Sequence, residues 1–472
     1  MSSDLKRLTA DRRIRYSKIC QMSFLLFLAA IVYCFFTVYY ADITVTGRFG
    51  LVFLDSIFDG VPRSFYSNAL ASGIAPEGAV YDIGTYVIFA VWSIPVWILQ
   101  HVIHLDPMCA GSLLWFKLLV VIFYVGTIFW FYKVAALLQS EDDAAVATLI
   151  YTTSLYTFFP VFIAVQYDVL SVFFLLAGIY YCLENSRRWL IFMAISITIK
   201  PMSLLILVLV ILWKEKNILQ ILIQLIEGLS LLLLCKLIYF RDPGYAQSAS
   251  GFLSKNLSGL LNNGIATPYG LISVFVLVIS AIYLVAYLTS DTNPRQMILL
   301  AFGIWGAFEI FGGMTCYWSI YLAPFMTLAV FVGGRTNRGK LLLIQYIQEV
   351  LMLIVFILHT SWVYGGSKTY SYLLLKPIYQ KGTGNGDDIA TAAGLLRRLG
   401  MEPMIPAILA VALICLAGIG YVGYRNMQQE DSLPVAHKEN HDRNVVAITF
   451  VRVVTVWIFL AYTAAALFVA AR

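Results

Sequence analysis

Charge is scarce in this chain. Of its 472 residues only 12% are Asp, Glu, Lys or Arg, while 60% are hydrophobic and the mean hydropathy is +0.82. A water-soluble domain carries about 25% charged and 45–50% apolar residues, so no soluble fold of this length could cover the apolar surface. Paired cysteines are also lacking. Cys20, Cys34, Cys109, Cys182, Cys235, Cys316 and Cys415 form no CxxC pair and lie mostly within apolar runs. They read as small core residues and support neither a disulfide framework nor a metal cluster. The five histidines are scattered, and His101 and His104, three apart, have no third ligand near them in sequence. There is no fixed-period repeat, and no low-complexity tract beyond the loop-like GTGNGDD at 382–388. The first apolar run, Ile19 to Tyr40, exceeds a signal-peptide core and no small-residue cleavage pattern follows it. It is expected to be a retained transmembrane anchor.

What is present is a series of long apolar runs. A helix needs about 20 apolar residues to span a bilayer. The candidate spans are 19–40, 84–103, 113–138, 144–164, 167–183, 189–212, 217–240, 268–289, 297–312, 316–333, 341–363, 404–424 and 446–470. The expected fold is therefore all-α: one polytopic integral membrane domain over residues 1–472, with about 12–13 transmembrane helices. The net charge of +6 would raise nucleic acid as a partner for a soluble protein. Here the basic residues sit beside apolar runs, as Lys6, Arg7, Arg12, Arg13, Arg15 and Lys18 do ahead of the first. That is the positive-inside pattern, so it sets orientation, and no nucleic-acid partner is expected.

The charge pattern places residues 1–18 in the cytoplasm, loops 41–83, 241–267 and 364–403 outside, and the mixed-charge loop 425–445 inside. Polar mass gathered on the outer face suggests work at that face. Arg187 and Arg188 read as cytoplasmic, and so do Lys214 and Lys216, yet only the run 189–212 separates them. That run holds Lys200-Pro201 near its middle. A lysine at bilayer depth needs a partner or cavity, and proline breaks a helix. A hairpin that enters and returns satisfies both ends, and an odd, unpaired helix must then be found between residues 84 and 164. Charge alone leaves open which segment is re-entrant.

Four constellations carry chemistry. In the first outer loop Asp42 follows directly on the first span, at a membrane mouth suited to a lipid-borne substrate. Asp55 and Asp59, four apart, share a face if 49–59 is an amphipathic helix lying on the membrane. Arg48 and Arg63 are nearby, and Glu77, Tyr81 and Asp82 precede the second span. The plain alternative is that loops are polar. Second, Gln166, Tyr167 and Asp168 interrupt apolar sequence with no loop around them. An intramembrane acid is a functional candidate; the alternative is a helix-start acid favoured by the macrodipole. Third, Lys200 needs an anion, either Asp168 or a substrate phosphate. Fourth, Gly312, Gly313, Tyr317, Trp318 and Pro324 mark an outer turn and an aromatic wall, or an ordinary interfacial belt. Glu309 is one more intramembrane acid.

In these residues the chain resembles the GT-C glycosyltransferases, and in particular bacterial relatives of the first mannosyltransferase of GPI-anchor synthesis. The resemblance covers roughly the first 330 residues in order and spacing. YADIT, with Asp42, stands where such enzymes carry their catalytic Asp after the first span. Gln166-Tyr167-Asp168 resembles their mid-chain polar residues, Ile197-Thr198-Ile199-Lys200-Pro201 their lysine-proline break, and Tyr317, Trp318 and Pro324 their late outer turn. The tight acidic pair of many members is absent from the first loop, and so is the Lys-Pro-Pro motif of the lipid A-type members. The resemblance implies a GT-C-like bundle with membrane-parallel helices in the first outer loop. It also implies transfer of a sugar from a polyprenyl-phosphate donor to a glycan or glycolipid acceptor of the cell envelope. Asp42 would be the base, and Lys200 with Arg48 would hold the phosphate. Asp55, Asp59, Tyr81, Asp82, Gln166, Tyr167, Asp168, Tyr317 and Trp318 would shape the site. The sequence identifies no cofactor with certainty; no ligand set argues for a metal, and a divalent cation is left open. The competing classes are a lipid-linked sugar flippase or secondary carrier, suggested by Lys200, Asp168 and Glu309, and a membrane polymerase or ligase using the 364–403 loop. The expected location is a bacterial plasma membrane.

Overall fold

The computed structural model describes residues 3–262, 264–290, 292–313, 315–332, 337–360, 391–429 and 439–470. The chain begins with α1 (Ser3–Thr37), α2 (Ala41–Phe58), α3 (Phe65–Ala71), α4 (Ile83–Ile103), α5 (Ala110–Leu138), α6 (Glu141–Thr152) and α7 (Leu155–Phe158). It continues with α8 (Asp168–Leu183), α9 (Arg188–Ile199), α10 (Leu204–Lys214), α11 (Ile218–Tyr239), the single turn α12 (Pro243–Tyr245) and α13 (Gly251–Leu261). A two-stranded hairpin follows, β1 (Gly264–Thr267) and β2 (Gly270–Ser273). Then come α14 (Val274–Leu288), α15 (Pro294–Phe311), α16 (Ser319–Val332), α17 (Arg338–His359), α18 (Ala392–Arg398), α19 (Ile405–Gln429) and α20 (Glu439–Ala470). The expected loop 364–403 lies largely, and 425–445 partly, outside the described residues.

The protein is an all-α polytopic membrane protein. Among the described residues seven helices are long and apolar enough to cross a bilayer; α6 with the 155–163 segment, bent by 55°, is an eighth if the pair counts as one broken span and not as a re-entrant loop. The difference from thirteen equal spans has a physical origin. Several apolar runs are shortened by built-in breaks: α8, α9, α10, α14 and α16 have 11–16 residues each. At ~1.5 Å per residue each is shorter than the ~30 Å hydrocarbon layer.

The chain forms two compact units that no break in composition announces. One unit comprises residues 1–39, 138–163 and 323–472. Here α6 starts on a capped turn, the Ser140 side chain accepting from the Asp143 amide. The chain then breaks at Thr153-Ser154, and the break is closed from α17. Glu349 accepts from the Ser154 hydroxyl at 2.9 Å and from the Leu155 amide at 3.2 Å. Arg452 of α20 pairs with the same carboxylate at 2.7 Å and donates to the Ile150 carbonyl. A second buried pair, Arg338 to Asp143 at 2.7 Å, sits against the Phe331 ring. Both pairs meet the requirement that a charge in an apolar bundle find a partner.

The other unit comprises residues 40–137 and 164–322. In it α2 and α4 run side by side in the same direction. Gly50 meets the backbone of Phe89 and Ala90, and Asp55 meets Trp97. Helices α8 and α9 form an antiparallel pair locked by hydroxyls: Ser171, Ser196 and Ser203 lie 2.7–3.1 Å from one another. Small polar residues of this kind let helix backbones approach closely in lipid. The 189–212 run is broken at Lys200-Pro201 into α9 and α10. The ammonium of Lys214, at the end of α10, donates to the Cys182 carbonyl and to Asn185, just ahead of α9. The broken run thus returns to the end at which it began, a hairpin within its unit.

Candidate functional site

The site is assembled at helix ends inside the second unit. A residue that precedes proline is pushed out of the α region, and Lys200 is extended (φ −144°, ψ 122°), ending α9. The end is secured from α4. Thr85 donates to the Ile199 carbonyl at 2.9 Å, and Gly84 lies so close that a Cβ there would stand 2.7 Å from Thr198 Cγ2. This fixes where the Lys200 side chain leaves the backbone. Its ammonium sits 3.4 Å from Asp168, 3.6 Å from the centre of the Tyr81 ring and 4.8 Å from that of Tyr167. Both charged groups are buried. Of the two sequence readings for Lys200, the protein partner is Asp168.

Asp168 opens α8 as its first residue, where the macrodipole favours an anion. Neither of its carboxylate oxygens receives a hydrogen bond, and Gln166 Oε1 is likewise unpartnered. The residue two before Asp168's neighbour Tyr167 is Val165, held at φ +47°. A β-branched residue there is strained, and strain of this sort collects at functional positions. Gln166 Nε2 donates to Asp42 Oδ2 at 2.7 Å. Asp42 lies in the first turn of α2 and is half-buried. Asp42 is close enough to Lys200 and Asp168 to influence both electrostatically. The sequence-predicted Asp42, Tyr81, Gln166, Tyr167, Asp168 and Lys200 therefore form one cluster. Tyr317 belongs to its rim, within electrostatic reach of Asp42 and Tyr81. Trp318 packs on Phe308 behind it.

Tyr81 is the keystone ring. Its carbonyl accepts from the Tyr66 hydroxyl at 2.8 Å, and its amide donates to the Tyr86 hydroxyl at 3.2 Å. Burial, then the negative charges of Asp42 and Asp168, hold the Tyr81 hydroxyl well above its ordinary pKa, so it stays protonated. Asp82 does not face Lys200. It pairs with Lys236 at 3.2 Å, and Tyr245 donates to it at 3.0 Å. Asp242 clamps the first turn of α3, accepting from the Tyr66 and Ser67 amides, from the Ser67 hydroxyl and from Gly244.

Besides Asp82, three expected members stand elsewhere. The helix predicted over 49–59 begins earlier, at Ala41, and ends at Phe58, with Asp59 as its exposed C-cap. Thirteen helical residues carry Asp55 ~20 Å along the axis from Asp42. There it accepts from the Trp97 indole at 2.7 Å and lies 3.6 Å from His101. Arg48 is ~9 Å along the same axis, with no hydrogen bond or ion pair to the cluster. Sequence reasoning missed Lys236, Asp242 and Tyr245 here, and Asp143, Arg338, Glu349 and Arg452 in the first unit. Lys236, Glu349 and Arg452 were findable as lone charges inside apolar runs.

Among the described residues no three His, Cys, Asp or Glu side chains are grouped to hold a metal ion. Asp42 and Asp168 supply two carboxylates to the cluster, with the Lys200 ammonium facing Asp168. The chain matches no protein-family model, no curated protein and no solved structure.

Proposed function

We propose that this protein is a glycosyltransferase of the GT-C kind. It would move a sugar from a polyprenyl-phosphate donor to a hydroxyl of a glycan or glycolipid acceptor at the outer face of a cell membrane. The observation that supports this reading most is the half-buried Asp42 carboxylate, aimed by Gln166 beside a buried lysine. In the proposed step the acceptor O–H gives its proton to Asp42 as the new bond forms at the anomeric carbon. The bond from that carbon to the phosphate oxygen breaks, and the electron pair leaves with the polyprenyl phosphate. Lys200 is the nearest cation for that leaving charge, and an arriving phosphate would compete with Asp168 for it. Asp168 Oδ1, turned away from the ion pair, and Gln166 Oε1 receive no hydrogen bond within the protein and would accept from sugar hydroxyls. The apolar helix faces would carry the polyprenyl chain, so the donor need not leave the bilayer.

One observation favours a second reading. A hairpin broken at a buried Lys–Asp pair also suits an ion-coupled carrier or lipid-linked sugar flippase. Purified protein in liposomes, offered a panel of labelled polyprenyl-phosphate sugars with envelope acceptors, separates the two. Covalent transfer supports the enzyme. Movement of intact donor between leaflets, with no transfer, supports the carrier.

A further inference from the structure

The segment from α13 to the start of α14 supplies no group to the proposed reaction, yet its surface is unusual. From Asn256 to Ser290 the sequence has no Asp, Glu, Lys or Arg. Within it β1 and β2 form an isolated ribbon, with Ile265 opposite Ile272 and Ala266 opposite Leu271. Opposed pairs alternate in facing, so apolar side chains stand on both faces, and Ile265, Leu271 and Ile272 are all exposed. At the tip Pro268 and Tyr269 turn the chain, and Tyr269 is fully exposed. An isolated two-stranded ribbon is marginal in water, and this one buries neither face. Full insertion in hydrocarbon is equally unfavourable, because both outer edges carry unpaired amides and carbonyls. The depth that satisfies both demands is the headgroup layer, where edges stay hydrated and apolar side chains reach the acyl boundary. Tyrosine is the residue type that settles there. The base of the ribbon is tied to flanking helices: the Ser273 hydroxyl donates to the Leu260 carbonyl and accepts from the Val276 amide at the start of α14. The exposed apolar surface therefore continues onto Val276, Leu277 and Leu284 of α14. On the other side it continues along α13, which exposes Phe252, Leu257 and Leu261.

We propose that residues 251–262 and 264–273 form a lipid-docking element whose occupant is the headgroup layer of the bilayer. It would anchor there through the ribbon and hold α13 against the site. The link to the site is Phe252, whose ring packs edge-on against Tyr81 at 6.0 Å. Phe252 stands at the opposite end of α13 from the ribbon, so α13 is what connects a lipid lying at the ribbon to the ring that covers Lys200. The proposal stands on surface chemistry and does not depend on which reaction the site performs.

The test is a nitroxide spin label at Tyr269→Cys in the full-length protein. The protein is reconstituted in vesicles of phosphatidylcholine with a minority of phosphatidylglycerol, and the signal of identically treated wild type is subtracted. The expected result is a mobile label that collides more with oxygen than with a water-soluble nickel chelate. A matching Ile265→Cys label should report the same depth class. Greater collision with the nickel chelate would place the ribbon in water and overturn the proposal. An immobilised label shielded from both reagents would place it against protein, in a partner or second copy, and would overturn it equally.

Discussion

Replacing Lys200 by methionine keeps most of the aliphatic stem and removes the charge. The structure gives the consequence its size. Asp168 is fully buried, receives no hydrogen bond, and has the Lys200 ammonium at 3.4 Å as its counter-charge. Removing one partner of a buried pair costs ~3–5 kcal/mol, whereas replacing both with apolar residues is often neutral. Lys200→Met should therefore destabilise by ~3–5 kcal/mol, with part of the loss coming from the Tyr81 cation–π contact, worth ~0.5–2 kcal/mol. Asp168→Leu alone should cost a similar amount, since it strands the ammonium. The double variant should recover to within ~1 kcal/mol of wild type, the residue being the lost helix-start acid. Unfolding in detergent micelles, followed by intrinsic fluorescence across this double-mutant cycle, measures the coupling. Two additive single losses would refute the account, and so would a Lys200→Met protein as stable as wild type.

The Glu349–Arg452 pair should behave differently. Glu349 also accepts from Ser154, the Leu155 amide and Gln345. Changing Arg452 to Met together with Glu349 to Leu therefore leaves donors unpaired at ~1–3 kcal/mol each, and the same unfolding assay should show no recovery in the double variant. Gly84→Ala should cost ~1–3 kcal/mol by overpacking against Thr198, and should lower activity through displacement of Lys200; unchanged stability would show the contact to be slack. Tyr81 has a sign that can be worked out. Its folded pKa lies above that of the unfolded chain, so its contribution to stability is complete below about pH 10 and is lost as pH rises above it. A pH series with Tyr81→Phe, which should flatten that alkaline loss, checks the direction.

The membrane class was legible because it rests on bulk properties: apolar runs of span length and a dearth of charge fix it without any tertiary detail. The break at Lys200-Pro201 was legible for a local reason, since proline dictates the conformation of the residue before it. The association of Asp42 with Gln166, 124 residues later, was only an expectation of order and resemblance, because nothing local encodes a contact at that separation. Asp55 and Asp59 illustrate the opposite failure. They were expected to help shape the site around Asp42, but the continuous helix from Ala41 carries them away from it. Lys236 and Arg452 were masked by the hydrophobicity of their neighbours, although a lone charge in such a run always demands a partner. The ribbon at 264–273 was hidden for a related reason, its apolar residues merging with the span that follows.

The central claim is that Asp42 removes the acceptor proton during sugar transfer. The most direct measurement compares wild type, Asp42→Asn and Asp59→Asn in one liposome assay with a labelled polyprenyl-phosphate sugar, each protein first shown to unfold at the wild-type midpoint. The account predicts transfer by wild type and by Asp59→Asn, and a loss of ~10²–10⁴-fold in Asp42→Asn, the range for a general base. Equal transfer by Asp42→Asn and wild type would contradict it.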